Sequence, residues 1–411
     1  MGFHVKARQA HFDSLRGLAA LLVVFAHYMA AFYPYSIFGV QGGYLQHAKW
    51  ETLFFYPPFG LLVAGQFAVC LFFILSGYVL SYNFIGEPFQ ARKILAAIVK
   101  RPVRLGGLVL FTMILAGLLW HYGLFHNAAV AELSASKPFL NSYWVGELDI
   151  PRLLTDMATS AFSAGRYYNP PLWTIKMELY GSLLVFLFLL LFGTSKYRLF
   201  LLLLLLVLTK NSLYQGFVIG IIFAEMVKRG SVDRNSLGNL HAFSLLLPVF
   251  LFFSAYPNYV TSDFIGKTLY GFLPDDGGVA GGYPMLAAFL LFCLVAANGR
   301  LQEMLHHPHL QFLGKISYGL YVVHFLVIGS FSSWLFLKLH GSLGYGASVL
   351  TVLLVGIPLS GLAAYLITKF VDEPFIKLAS YTNRKTLELL GSKAASRLSS
   401  FSQGIWARRP T

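Results

Sequence analysis

The sequence predicts an all-α protein, a polytopic bundle of about ten transmembrane helices. Hydrophobic residues make up 57% of its 411 positions and charged residues only 12%. Apolar runs of about 20 residues, each long enough for one helical span, recur along the chain. We divide it into a transmembrane domain, residues 1–376, and a basic cytoplasmic tail, residues 377–411. The predicted spans are 15–34, 59–83, 104–124, 172–192, 197–209, 212–227, 242–256, 283–298, 316–337 and 345–371.

The net charge of +14 is explained by membrane topology and does not indicate nucleic acid. Lysine and arginine cluster in alternate loops, as at Arg92, Lys93 and Lys100, whereas the opposite loops hold few of them. Because positive residues favour the cytoplasmic side of a membrane, we place both termini in the cytoplasm. The expected partner is the lipid bilayer, and the expected location is the inner (plasma) membrane of a bacterium.

No metal site is predicted. Cys70 and Cys293 lie in separate apolar runs, without the spacing of metal ligands. His306, His307 and His309 lie close together, but no acidic residue stands beside them at ligand spacing.

The first span contains ionisable residues in an otherwise apolar run. Arg16 and His27 lie inside it and Asp13 at its edge. A charged side chain at membrane depth costs roughly 2.5–3.5 kcal/mol on insertion scales, so it faces protein or a water-filled cavity and suggests function. Eleven residues are close to three helical turns, which puts Arg16 and His27 on one face, about 16 Å apart. Ala20 and Val23 lie between them on that face, which leaves room for a slender ligand.

Two further arginines, Arg101 and Arg104, lie where the third span enters the membrane. Taken alone, such a pair is explained as well by membrane topology and snorkelling as by ligand binding. Arg16, in contrast, lies inside an apolar segment, so its guanidinium has less freedom to reach water than those of Arg101 and Arg104. Together the three guanidiniums suit a ligand that carries phosphate, because arginine binds phosphate oxygens in bidentate fashion.

The second and fourth spans each carry a polar motif. In the second, Ser76 and Gly77 form a pair that usually permits close helix packing, and the alternative is a groove where a ligand approaches the backbone. In the fourth, Glu178 lies about 10 Å into hydrocarbon and needs a partner. Lys176 points to another part of the helix, and His27, also in the outer half of the membrane, is a candidate partner.

The last two spans also carry polar residues. Ser317, Tyr321 and His324 form a stripe on the ninth predicted helix, where satisfied buried groups and a ligand site explain the pattern equally well. Asp372 and Glu373 precede Pro374, which we expect to end the tenth helix, and these acids are available to pair with the arginines.

A long outer loop ends in RYYNPPLW, which offers flat aromatic faces beside a cation. Sugars are commonly held by such faces together with hydrogen-bonding side chains. The candidate acceptor-binding residues are therefore Arg166, Tyr167, Tyr168 and Trp173, although interfacial anchoring is the commoner role for a tryptophan at the depth of Trp173.

Taken together, these motifs resemble the membrane-bound acyltransferase-3 family from about residue 11 to residue 376. Each motif alone is weak, but six in order are specific. They are Arg-x10-His (Arg16, His27), FFxxSG (Phe72 to Gly77), RxxR (Arg101, Arg104), Trp-Thr-x-x-x-Glu (Trp173 to Glu178), SYxxYxxH (Ser317 to His324) and acidic-x-Pro (Asp372, Pro374). Two departures matter. The family usually has Glu-x-Pro, so Asp372 and Glu373 both remain open for that role, and Gly106 and Gly107 replace a proline that often follows RxxR.

The resemblance implies transfer of an acyl group, most simply acetyl, from acyl-coenzyme A to a hydroxyl of a glycan or another secreted or small compound. His27 would be the general base, and Glu178 would orient it or bind the acceptor. Acyl-coenzyme A binding is assigned to Arg16, Ser76, Gly77, Arg101, Arg104, Ser317, Tyr321 and His324, and charge pairing or structural support to Asp13, Asp372 and Glu373.

The alternative is a membrane transporter or exporter of a small polar or acylated compound, since transport also explains buried charges. That alternative predicts internal repeats or helices broken near the midplane, and the sequence shows neither.

Overall fold

The computed structural model describes residues 10–159, 162, 167–232, 240–274 and 281–391, and all regular structure among them is helical. This confirms the predicted all-α class. The longer helices are α1 (Ala10–Phe32), α2 (Gly65–Tyr82), α3 (Ala91–His121), α4 (Trp173–Phe192), α5 (Arg198–Leu208), α6 (Tyr214–Lys228), α7 (Leu240–Ser254), α8 (Gly282–Ala296), α9 (Gly299–Leu305), α10 (Pro308–Val327), α11 (Ser333–Ile367) and α12 (Glu373–Leu389).

Short elements connect these helices. Short α-helices are Tyr35–Phe38, Asn127–Leu133, Lys137–Leu140, Ile150–Ala158 and Ser262–Gly266, and 3-10 turns are Gln41–Gly43, Lys49–Phe55, Phe59–Val63 and Pro170–Leu172. Two π-helical turns, Ile328–Ser332 and Thr368–Asp372, join α10 to α11 and α11 to α12.

Five helical segments of the described residues are long and apolar enough to cross a membrane: Ala10–Phe32, Gly65–Tyr82, Ala91–His121, Pro170–Phe192 and Pro308–Leu389. α8 and α9, bent by 94° to each other, make a sixth if they count as one span. The number of ten spans and the cytoplasmic side of both termini stay predictions.

The segment Pro308–Leu389 is too long to be a single straight span. Its 82 residues would extend about 123 Å as one helix, roughly four times the thickness of the hydrocarbon core. Gly344, with φ 73° and ψ 174°, interrupts it inside α11. A residue with a side chain rarely adopts this positive φ, so glycine suits the break.

The prediction that the last helix ends at Pro374 is wrong, because the chain continues as α12 to Leu389. Pro374 lies in the first turn of α12, where proline's missing N–H costs no helical hydrogen bond. α12 packs against α3, where Gly107 leaves space for the ring of Phe375. Residues 392–411 of the predicted tail lie outside the described residues.

α1 lies between two of the helices that form the site, since it packs against both α10 and α2. α1 and α10 meet backbone to backbone, because a Cβ atom on Gly17 would lie 2.5 Å from the amide nitrogen of Gly314. Small residues allow such close approach between membrane helices. The contact places Arg16 of α1 beside the polar start of α10.

The Ser76–Gly77 pair combines both predicted roles. Gly77 packs against α6, where a Cβ atom would overlap the carbonyl group of Phe217. Ser76 lines the cavity described below. Close helix packing is therefore the role of Gly77, and lining the cavity is the role of Ser76.

We expect Gly77→Ala to destabilise the protein by about 1–3 kcal/mol, the usual cost of adding a methyl group to a filled site. The matched control is Gly361→Ala on α11, where no heavy atom lies within 4 Å of the added Cβ. There the better helix propensity of alanine should leave stability unchanged or raised. Thermal unfolding in one detergent measures both, and equal melting temperatures for the two variants would contradict the packing described here.

Candidate active site

A cavity of about 760 Å³ lies among α1, α2, α3, α4, α10 and the turn that leads into α12. This size is typical of a small-molecule site. One part of the cavity is charged, and the other is formed by Phe72, Thr174 and Tyr321 together with aliphatic side chains. The charged lining residues are Asp13, Arg16, Arg101, Arg104, Glu178, Lys315, Asp372 and Glu373.

Each cation in the charged part is paired with a carboxylate. Arg16 Nη1 lies 3.4 Å from Asp13 Oδ1, and Lys315 Nζ lies 2.8 Å from Glu373 Oε1. The guanidinium of Arg104 makes two hydrogen bonds to the carboxylate of Asp372. With the pair described next, four cations face four carboxylates, and their formal charges cancel.

The fourth pair corrects the predicted role of Glu178. Its Oε1 accepts a hydrogen bond of 2.5 Å from Arg101 Nη2, and its carboxylate also bonds the hydroxyl of Ser76. The prediction that Glu178 bonds His27 is therefore wrong. α3 begins at Ala91, not at residue 104, so Arg101 lies well inside a helix and its side chain faces the cavity.

The two acids before Pro374 have different partners in the structure. Asp372 is buried and holds Arg104, whereas Glu373 pairs with Lys315 at the more exposed side of the cavity. This geometry gives Asp372 the contact with the RxxR motif that the sequence left open.

His27 pairs with His324 of α10, since His27 Nδ1 and His324 Nε2 lie 3.0 Å apart. The second nitrogen of His324, Nδ1, lies 3.0 Å from the carbonyl oxygen of Leu320. A carbonyl only accepts hydrogen bonds, so Nδ1 of His324 carries the proton and Nε2 of a neutral His324 accepts. His27 therefore donates through Nδ1, which leaves its Nε2 as an unprotonated nitrogen.

The predicted path of a ligand along α1 is wrong. Ala20 and Val23 are buried and do not line the cavity, because α1 packs tightly there against its neighbours. The cavity extends instead along α2, α4 and α10 to Tyr321, whose hydroxyl lies 2.8 Å from that of Thr174.

Tyr321 connects the cavity to the histidine pair. It lines the cavity, and its ring centroid lies 6.1 Å from that of His324. Of the predicted stripe on α10, Ser317 and Tyr321 line the cavity. His324 is fully buried and does not line the cavity; it contacts His27, and its predicted part in binding the cofactor stays a prediction.

The predicted acceptor-binding residues do not meet at His27. Tyr167 is partly exposed and lies over the guanidinium of Arg152, at 4.2 Å from the ring centroid. Tyr168 is buried, and its carbonyl accepts a hydrogen bond from the indole of Trp144. Trp173 begins α4 and is exposed, and Arg166 lies outside the described residues.

Phenylalanine rings contact His27 instead. The ring centroids of Phe139 and Phe325 lie 6.1 Å and 5.4 Å from that of His27. Phe325 directly follows His324 in the sequence, so the SYxxYxxH motif indicated that this residue lies near the site. Phe139 comes from the short helix Lys137–Leu140, which carries no motif.

Comparisons with known proteins identify the family. The family model described as an acyltransferase domain (acyltransferase-3) matches residues 9–368. Acyltransferase R4 of a Phoma species is 24% identical, over 89% of this chain and 93% of that protein. O-acetyltransferase PaAT-1 of Phomopsis amygdali is 26% identical, over 45% of this chain and 41% of that protein.

A third relative, acyltransferase clz18 of Cochliobolus lunatus, is 26% identical over 43% of this chain and 48% of that protein. No solved structure matches the chain. The family match covers most of the sequence, including the elements that form the cavity except the start of α12 and the turn before it beyond Thr368, which carries Asp372. The chain therefore belongs to the acyltransferase-3 family and is a membrane-associated acyltransferase that transfers groups other than aminoacyl groups.

Proposed function

We propose that this protein transfers an acyl group, acetyl in the simplest case, from acyl-coenzyme A to a hydroxyl group, with His27 as the general base. The observation that carries the proposal is the hydrogen-bonded pair of His27 and His324. Because His324 holds the Nδ1 proton of His27, the free Nε2 is fixed as a proton acceptor.

The proposed reaction uses His27 as the proton acceptor and acyl-coenzyme A as the thioester. The acceptor hydroxyl loses its proton to His27 Nε2 while its oxygen attacks the thioester carbon. As the tetrahedral intermediate collapses, the C–S bond breaks and the coenzyme A thiolate takes the proton back from His27. The products are the ester and free coenzyme A, and a well-placed base of this kind contributes typically about 10²–10⁴-fold to the rate.

The charged part of the cavity suits the phosphates of the donor. Arg16, Arg101 and Arg104 are already paired with carboxylates, so the phosphates would replace or share those partners. The pantetheine arm would lie along Phe72 toward Thr174 and Tyr321. The thioester would reach His27 when the ring of Tyr321, which connects the cavity to the histidines, turns aside.

Thr368 supplies a further place for the donor. Its hydroxyl is buried, lines the cavity and has no hydrogen-bond partner in the described structure. A buried hydroxyl without a partner is costly. We therefore assign it to an amide or phosphate oxygen of the donor.

The apolar helices and the family together indicate a membrane protein. The relatives reported above are fungal. They lend no support to a bacterial inner membrane, which stays a prediction.

His324 is a positioning residue in this mechanism, and two substitutions test it. We expect His324→Ala to lower kcat about 10- to 100-fold with an unchanged KM for acetyl-coenzyme A, because His27 loses the acceptor that fixes its tautomer. His324→Gln places an amide oxygen near the former Nε2 and should recover most of the rate. Release of free coenzyme A thiol measures both, and an alanine variant within twofold of the wild-type kcat would contradict the role.

A further inference from the structure

We propose that the acceptor binds in an aromatic vestibule beside His27 and is a compact, uncharged, largely apolar alcohol or phenol. The aromatic vestibule consists of Phe38, Tyr44, Phe139, Tyr259 and Phe325. This inference rests on the proposed function, because it names the acceptor class for that same site.

The vestibule touches the proposed base and is separate from the donor cavity. Phe139 and Phe325 contact the ring of His27 and each other, the latter pair with centroids 5.7 Å apart and planes at 86°. These two rings form a corner around His27. No residue of the vestibule lines the donor cavity.

A second layer extends the vestibule outward. Phe38 lies 5.7 Å from Phe139, 4.6 Å from Tyr44 and 5.9 Å from Tyr259, measured between ring centroids. Phe325 is fully buried, whereas Phe38, Tyr44 and Phe139 are partly exposed and Tyr259 is 43% exposed. The exposure of the rings therefore rises from Phe325, next to His27, to Tyr259 at the rim.

The vestibule differs from the donor cavity in charge. In the described residues, the ring contacts of Phe38, Phe139 and Phe325 are with other rings. The electrostatic neighbours of Tyr44 and Tyr259 are the uncharged Tyr143, Cys70 and Tyr321, and through Tyr321 the vestibule borders the donor cavity. Among the described residues, the Lys and Arg side chains that lie over aromatic rings all lie over rings outside the vestibule, whereas eight charged residues line the donor cavity.

This chemistry selects against glycans and charged acceptors. A sugar ring carries several hydroxyls, and each that loses water without finding a partner weakens binding. Tyr44 and Tyr259 supply two hydroxyls at the rim and Tyr143, which contacts Phe325, a third, fewer than a sugar ring needs. Aromatic faces favour flat apolar groups through burial of surface and ring stacking. The matching acceptor has an apolar ring system and one reactive hydroxyl, which reaches Nε2 of His27.

A binding experiment tests the acceptor class without turnover. The full chain in lipid nanodiscs, as wild type and as His27→Ala, is titrated with 2-naphthylethanol and with N-acetylglucosamine while thermal unfolding is followed. We expect the naphthyl alcohol to raise the melting temperature of both proteins and the sugar to leave it unchanged.

Matched variants then locate the site. Phe139→Ala and Tyr44→Ala should each weaken binding of the naphthyl alcohol at least threefold, while the shift caused by coenzyme A is kept and shows that the fold and donor site are intact. Phe272→Ala, which removes an aromatic ring that is 75% exposed in another loop, is the control and should bind as wild type.

Two results would overturn the vestibule: a shift with the sugar and none with the naphthyl alcohol, or naphthyl binding that neither Phe139→Ala nor Tyr44→Ala weakens. Failure of the proposed function looks different. If the naphthyl alcohol binds as expected but no acetyl-coenzyme A-dependent ester forms, the result supports the vestibule and contradicts the transfer mechanism. If the enzyme acetylates the sugar and not the naphthyl alcohol, the result supports the transfer mechanism and contradicts the vestibule as the acceptor site.

Discussion

His27→Ala is expected to lower the rate of acyl transfer by about two to four orders of magnitude, the usual contribution of a general base. The imidazole is the group whose Nε2 the contact with His324 leaves unprotonated, and no other histidine contacts it among the described residues. Donor binding should persist, because His27 does not line the cavity. Release of coenzyme A thiol measures the rate, and the thermal shift with coenzyme A measures binding.

The control for this prediction is His309→Ala, which removes an exposed imidazole from the start of α10. It should leave both the rate and the donor-induced shift unchanged. An His27→Ala protein that is folded and keeps a substantial part of the wild-type rate would reject His27 as the base.

Arg101→Ala is expected to destabilise the protein by about 3–5 kcal/mol, the cost of leaving one charge of a buried ion pair without its partner. The side chains of Arg101 and Glu178 are only 16% and 15% exposed, and their bond is 2.5 Å long. Resistance to thermal unfolding in detergent measures the loss.

The double variant Arg101→Met/Glu178→Gln separates stability from function. It removes both charges, so most of the lost stability should return. The affinity for coenzyme A should remain low, because one of the three guanidiniums of the cavity is gone. Lys267→Ala is the control, since its pair with Asp263 is 73% and 82% exposed and should contribute nothing measurable. Full donor affinity in the double variant would remove Arg101 from the phosphate site.

The sequence contains enough to predict features that lie within one helix. The eleven-residue spacing of Arg16 and His27 fixes their shared face by helix geometry alone, and both side chains do face other parts of the protein. The apolar run lengths likewise predict helices, which the structure confirms. Such features depend on local periodicity, which one sequence displays directly.

Contacts between helices were harder to predict. Glu178 pairs with Arg101 because α3 begins before its apolar run and so includes Arg101. The spacing of residues within α4 carries no information on where α3 begins. Tyr321 and His324 lie less than one turn apart, yet only Tyr321 lines the cavity, since the cavity ends between them. Phe139 contacts His27 from the short helix Lys137–Leu140, whose four residues are too few to show a periodicity.

The balance of four cations and four carboxylates in the donor cavity bears on product release. A purely cationic cavity would attract a polyanionic carrier strongly and would hold it just as strongly after the acyl group had left. Here Asp13, Glu178, Asp372 and Glu373 compete for the same guanidinium and ammonium groups. If the cavity binds acyl-coenzyme A as proposed, each departing phosphate would be replaced by a tethered anion, and the spent carrier would dissociate without leaving bare charge inside the membrane.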